Sequence, residues 1–300
     1  MEMHKCEISA EMVHSCRVLL GAYAAGYPGV PNNFEAQHLA HGRRNNTRLD
    51  LVHGYAPAGR LPFDDRYTRA VARNHPHRRV VHNWTPVAAW RDADRPAAWE
   101  HFRLAARLVR GLSRACSIMV HPEPEKAVTE AGTPKEYRRM WATVRDIFAE
   151  EGVERVTWGI AYSNDPQWDE VVPDLYPGDD LVDWVWCHAY GSVARPDLAE
   201  NINHFLHVAA RHGIGAGKPF GIAEWGARDM PSDLAIDYFG QAHEFLDAPE
   251  AETLKAWMIF DALRQGDLRV GFDAKGHPAP EQAAAYRRFT QHHRFRCQRQ

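Results

Sequence analysis

Two glutamates close apolar runs in this chain, and carboxylates in that position can do chemistry. Glu123 lies in His121-Pro122-Glu123-Pro124-Glu125, directly after Ser117-Ile118-Met119-Val120. Glu224 ends the run Lys218-Pro219-Phe220-Gly221-Ile222-Ala223 and is followed by Trp225-Gly226. A carboxylate at the end of a buried strand is costly to desolvate unless something pairs or uses it. Two such groups suit the cleavage of a glycosidic bond. One carboxylic acid protonates the leaving oxygen while the other carboxylate attacks the anomeric carbon or activates water. Aromatic residues at the ends of other runs, Trp84, Tyr162, Tyr190, Trp225 and Trp257, offer ring faces on which sugars stack. Glu125 stands two residues beyond Glu123 and stays open as a rival acid, and an exposed Glu-Pro-Glu turn or a rim ion pair would account for these carboxylates without catalysis.

The elements that must position these residues follow from the apolar pattern. Short apolar runs occur at 18–23, 49–55, 80–84, 118–120, 156–162, 181–190, 220–225 and 254–260. Several are almost continuously apolar, as strands of a parallel sheet buried on both faces are. Amphipathic stretches fall between them, at 97–116, 133–151, 196–212, 235–246 and 280–292. Thr133-Pro134 with Glu136 predicts an N-cap, a proline at the first helical position and a capping box. Gly152 and Gly213 sit where helices should stop. Eight strands alternating with helices predict a single (β/α)₈ TIM barrel spanning residues 1–300, with functional residues on the loops after the strands.

Composition narrows the classes of function. Of 300 residues, 45% are hydrophobic and 25% charged, an ordinary soluble balance. The formal net charge of -3 gives no pull toward nucleic acid or anionic lipid. No run approaches the length of a membrane span, and residues 18–25 read as a first strand better than as a signal peptide. Five cysteines, scattered and odd in number, predict no disulfide framework, although a Cys6–Cys16 bridge is conceivable. Eighteen histidines invite a metal reading. His75, His77 and His82 cluster without a carboxylate at ligand spacing, and His292-His293 falls in a polar tail, so neither metal nor cofactor is expected.

Four stretches carry a resemblance to glycoside hydrolase family 26, retaining barrel enzymes that include β-mannanases. Glu123-Pro124-Glu125 resembles the family's acid/base segment. Residues 133–151, followed by Val156-Thr157-Trp158, resemble its fourth helix and fifth strand. Tyr176-Pro177-Gly178-Asp179-Asp180, leading into Val182-Asp183-Trp184, resembles the entry to its sixth strand. Lys218-Pro219 through Glu224-Trp225-Gly226 resembles the nucleophile strand. Together these cover roughly residues 80–265. The resemblance implies Glu123 as acid/base, Glu224 as nucleophile and Tyr190 as a hydrogen-bond partner of the nucleophile. It further implies Trp84 near the substrate, and Trp257 or Phe260 as a sugar platform, with Trp225 beside the nucleophile. One departure stands out: the family's histidine just before the acid, which helps hold the sugar's 2-hydroxyl, is here Pro122. His121, one residue earlier, is the substrate-binding candidate if the loop re-aims it, and otherwise the contact is missing. The implied activity is a monomeric, retaining endo-hydrolase of a β-1,4-linked polysaccharide, mannan first. Such enzymes are mostly exported, and localisation stays open. A non-catalytic carbohydrate-binding barrel and a metal-dependent hydrolase are the competing readings.

Overall fold

The computed structural model describes residues 7–263, 268–273 and 275–296. Its first half runs β1 (Leu19–Ala25), α1 (Phe34–Arg44), β2 (Leu51–Ala56), α2 (Arg66–Asn74), β3 (Arg79–Trp84), α3 (Pro96–Arg110) and β4 (Cys116–Val120). A short α4 (Pro124–Ala127) and the long α5 (Pro134–Glu150) lead to β5 (Val156–Tyr162) and a short α6 (Val172–Leu175). The chain continues through β6 (Trp184–Gly191), α7 (Leu198–His212), β7 (Phe220–Ala227), α8 (Ser232–Phe245), β8 (Leu254–Ala262) and α9 (Pro280–Thr290). The strands form one closed barrel in sequence order, every pairing parallel, with β8 returning to β1. The (β/α)₈ expectation is the observed fold.

Local signals place the helices where the sequence puts them, with some differences. Thr133 and Glu136 form the reciprocal capping box, and Gly213 ends α7 in the left-handed conformation. The stretch expected to be helical to residue 116 stops at Arg110, because Cys116 already opens β4. Helices α1 and α2 lacked a clear apolar stripe in the sequence. Asn33 and Asp65 cap them by accepting from backbone N–H groups.

Two large cores dominate among the described residues, one inside the barrel and one around it, as closure demands, with two small clusters beside them. Inside the barrel, Leu51, Val81, Met119, Ala161, Trp186 and Met258 pack with a stacked Trp184–Trp186 pair. Gly221 makes room there, since a Cβ at that position would lie 2.3 Å from the Trp186 ring. Met12 underlies this core, and the Trp184 indole donates to the Glu11 carbonyl at 2.6 Å, so the N-terminal segment floors the barrel. Between strands and helices lies the larger outer core, which holds Trp84, Trp90, Trp141, Tyr162, Trp225 and Trp257.

Among the described residues no helix is long and apolar enough to cross a membrane. Cys116 and Cys187 are buried free thiols, and Cys16 is disulfide-bonded, a single bridge where no disulfide framework was expected and one bridge at Cys16 was conceivable. Cys6 and Cys297 lie outside the described residues.

Candidate active site

The C-terminal ends of the strands bring Glu123 and Glu224 together, and a fault in the sheet aims one of them. β6 and β7 pair Cys187 with Ile222, then His188 with Glu224, which leaves Ala223 as the extra residue of a β-bulge. Successive side chains normally alternate between faces. The bulge breaks that alternation: Ala223 packs in the inner core and Glu224 still turns inward, while Ile222 and Trp225 join the outer core. Bulges re-aim side chains in this way beside functional sites. The same step sets Glu224 directly beside His188, its in-register neighbour.

Glu224 is buried, with four groups around its carboxylate. Tyr55 on β2 donates to Oε1 at 2.7 Å and Asn83 on β3 donates to the same oxygen at 3.2 Å. Tyr190 on β6 donates to Oε2 at 2.8 Å. The His188 ring lies 3.7 Å from Oε2 through Nδ1. Burial and the Glu123 charge push this carboxyl up, but His188 and the Tyr55 hydrogen bond help to outweigh them, and it lies below its usual range. Burial and the adjacent Glu224 charge raise both phenols well above their ordinary value, so Tyr55 and Tyr190 stay protonated donors. Behind Tyr55, His53 sits 3.3 Å from the phenol oxygen, and burial lowers it to about 4, leaving it neutral. An ionised carboxylate held by fixed donors is suited to nucleophilic attack.

Glu123 reaches the same place from an unusual backbone. His121 and Glu123 have φ of 47° and 52°, and each precedes a proline. Left-handed conformations are costly for residues with a Cβ, and a following proline adds to the restriction. The turn is held by His121 N–H on the Trp84 carbonyl at 2.7 Å and Glu123 N–H on the Ala161 carbonyl at 2.8 Å. Strain of this kind, roughly 1–3 kcal/mol per residue, is kept where surrounding structure over-determines it, often at functional sites. Its product here is the Glu123 side chain facing His188, with Oε1 2.8 Å from Nδ1. Lys126 also reaches that oxygen, at 2.7 Å. Burial raises the Glu123 carboxyl, yet His188 and Lys126 prevail and lower it to about 2.

The other sequence-predicted residues divide sharply. Tyr190 donates to Glu224, the residue contact that the resemblance implied. Trp84, Trp225 and Trp257 are fully buried on the helix-facing side of their strands and do not face the carboxylates. Trp84 packs on Phe102 and Phe148 and donates to the Arg60 carbonyl, while Trp225 and Trp257 pack on each other and on Phe289. Tyr162 lies in the same outer layer. Strand parity explains the correction: Asn83 faces inward, so Trp84 beside it faces outward. His121 is turned away by its backbone, its ring against Trp90 and Tyr137. The open contact noted for Pro122 is therefore not supplied by His121. Glu125 is fully buried and its Oε1 accepts from the Ser163 N–H, lining a small cavity with Tyr162, Trp168 and Phe205, away from the carboxylate pair.

Sequence reading missed Tyr55, Asn83 and His188, the residues that close the site around Glu224. Their signal was a polar group inside an otherwise apolar run, such as His188 in Trp184–Gly191, and nothing in such a run marks which face the group takes. The aromatic wall of the mouth is built from Tyr23, Tyr55, Tyr190 and Phe260 instead of tryptophans. Tyr23 and Phe260 stack at 5.1 Å, and Arg228 lies over Tyr190 at 4.6 Å. His75, His77 and His82 do not converge: His82 is buried beside Phe63, and the His75 ring accepts from the His77 and Arg78 backbone. Among the described residues the side chains with metal-ligand spacing are Asp247, His292 and His293. There His292 Nδ1 accepts from the Arg294 N–H, which puts its proton on the Nε2 that faces Asp247 at 3.2 Å.

No family model matches this chain, and no curated protein does. Solved structures do. A family 26 β-mannanase from Bacteroides ovatus superposes with a TM-score of 0.62 at 12% identity, over 92% of this chain and 89% of its own. A family 26 protein from Muricauda gives 0.63 at 13% identity, over 91% and 85%. An oligosaccharide-binding protein of glycoside hydrolase family 128 from Trichoderma gamsii gives 0.52 at 13%, over 90% and 93%. The likeness is one of fold. It is that of a closed (β/α)₈ barrel.

Proposed function

We propose that the protein is a retaining glycoside hydrolase that cleaves a β-1,4-linked polysaccharide internally, with Glu224 as nucleophile and Glu123 as acid/base. The observation that carries this is one imidazole nitrogen shared by two carboxylates on opposite sides of the barrel mouth. With Nδ1 of His188 at 2.8 and 3.7 Å, the oxygens facing it are at most about 6.5 Å apart, a bound that includes the roughly 5–5.5 Å of retaining enzymes and only touches the inverting range. In the reaction Glu224 attacks the anomeric carbon as the glycosidic bond breaks, and Glu123 gives its proton to the departing oxygen. Glu123 then takes a proton from water, whose oxygen displaces Glu224 and restores it. Tyr55, Tyr190 and Asn83 hold Glu224 ionised and in line. Mannan is the first polymer to test, since β-mannanases stand among the similar structures.

A second reading has its own support. Lys126 and His188 hold Glu123 ionised, the wrong state for an acid, and the Trichoderma protein of like fold is described as oligosaccharide-binding. A carbohydrate-binding barrel would need no acid. A reducing-sugar screen over mannans, glucans and xylans separates the two, with Glu224→Gln as control. Release of reducing ends by the wild type alone supports the hydrolase. Oligosaccharide binding by calorimetry, with no cleavage of any polymer, would replace it with the binding barrel.

A further inference from the structure

His188 resolves the mismatch between an acid role for Glu123 and its ionised state. Its ring is almost fully enclosed and is the neighbour of Glu224 set by the bulge. Among the described residues its only hydrogen bond is from Nδ1 to Glu123, and Nε2 finds no protein partner. The charged and titratable groups facing it are Glu224 from β7, Glu123 and Lys126 from the turn after β4, His53 from β2 and Tyr190 from its own strand. Two anions thus converge on one nitrogen, and the nearby ammonium of Lys126 already contacts one of them.

We propose that His188 stores the catalytic proton: the resting site holds Glu123 carboxylate, His188 imidazolium and Glu224 carboxylate, and substrate binding moves the Nδ1 proton onto Glu123. This rests on the hydrolase reading. The transfer is along the existing 2.8 Å contact, breaks one N–H bond and forms one O–H bond, and leaves the net charge of the site unchanged. Glu123 then protonates the leaving oxygen as Glu224 forms the glycosyl ester, with His188 neutral throughout this half. In the second half water gives one proton to Glu123 and its hydroxyl to the sugar. Glu224 leaves as carboxylate, and the proton on Glu123 returns to His188. Enclosure by itself lowers the imidazole, but the charges of Glu224 and Glu123 win and raise it above its ordinary value, in accord with a proton resident on the ring.

The test uses His188→Asn, which keeps a donor in place and cannot hold an extra proton. On mannan, kcat should fall about 10²–10⁴-fold, the usual worth of acid catalysis. On dinitrophenyl β-mannobioside, whose leaving group needs no proton, it should fall less than about tenfold. The alkaline limb of the wild-type pH profile should move in the variant. Equal losses on both substrates, or an unmoved limb, overturn the proposal and leave His188 a positioning residue for Glu224. Nitrogen NMR of the full chain gives an answer independent of turnover and of the variant's folding. His188 in the wild type should titrate as an imidazolium above pH 6.5, its ordinary value, and at lower pH in Glu123→Gln. A neutral ring at pH 6 in the wild type overturns the proposal. An imidazolium in a protein that cleaves neither polymer nor aryl glycoside keeps the stored proton but fails the hydrolase reading.

Discussion

Glu224 at the end of β7 and Asp261 near the end of β8 are neighbouring buried carboxylates with much the same company. Asp261 is fully enclosed and accepts from the Tyr27 phenol and from the Val270 N–H at 2.6 Å. His41 lies against it through Nδ1 and, through Nε2, against the Tyr286 phenol at 3.2 Å. Glu224 likewise has tyrosines and a histidine around it. The groups around Asp261 come from α1, the loop between β1 and α1 and the segment after β8, with α9 joined through His41, so its network ties helices to the barrel wall. Those around Glu224 come from strands, and its histidine faces a second carboxylate. Buried strand-end carboxylates with phenol donors are therefore no sign of catalysis alone. A second carboxylate on the same imidazole, at the mouth, is what separates the two.

Glu224→Gln should break the comparison most sharply. Turnover should fall on the order of 10⁴-fold or more, because the amide oxygen can still accept from Tyr55 and the NH2 can donate to the Tyr190 oxygen, but the amide cannot attack carbon. The melting temperature should change little. A Glu224→Gln variant that retains turnover on the polymer would remove the nucleophile assignment.

Next in size is Glu123→Gln, expected to cost about 10²–10⁴-fold on polymer. Glu125→Gln should leave turnover near wild type, since that carboxyl faces Ser163 and the cavity behind β5. The reverse outcome would exchange the two roles. The pH dependence of stability gives a separate check. A carboxyl lowered in the folded state stabilises it fully above the ordinary pKa of about 4.3, and that contribution fades as pH falls toward its folded value near 2. Acid melting curves of Glu123→Gln should lose that part of the slope between those limits.

Tyr55→Phe and Tyr190→Phe come third. Each removes one hydrogen bond to an ionised group, worth about 1.5–3 kcal/mol, so kcat/KM should fall about 10- to 100-fold. The double variant should lose more than either, because both phenols hold one carboxylate. Kinetics unchanged from wild type in both would mean that Glu224 is oriented by Asn83 and the sheet alone.

The order of these effects follows what was and was not legible in the residues. Apolar runs and helix stops gave the barrel, because closure needs only strand count, alternation and short connections. Glu123, Glu224 and Tyr190 were legible as polar groups at strand ends. Which face each residue takes was not, for runs buried on both sides show no period of two. Trp84, Trp225 and Trp257 were misplaced on that account, and Asn83 and His188 passed unnoticed. The bulge at Ala223 has no signature in Phe220-Gly221-Ile222-Ala223-Glu224. Without it, strict alternation would face Glu224 and Ala223 to opposite sides, and no count along the strand settles which.

The smallest effects on chemistry belong to the outer layer and to Asp261, and they test the division itself. Asp261→Asn leaves one of its enclosed hydrogen-bond partners, the Tyr27 phenol, the His41 ring or the Val270 N–H, without its acceptor, at a cost of about 1–3 kcal/mol in stability. Trp257→Phe leaves part of an indole-sized space against Phe289 and Phe245, at about 1–3 kcal/mol. Both proteins, assayed below their lowered melting temperatures, should show KM and kcat near wild type. Phe260→Ala should also cost stability, about 3–5 kcal/mol for a buried ring, but unlike them it should raise KM on polymer, because its ring stands with Tyr23 at the mouth. If Trp257→Phe raised KM as much as Phe260→Ala, the tryptophan would be reaching sugar through the barrel wall. The packing of its ring between Trp225 and Phe289 leaves no path for that.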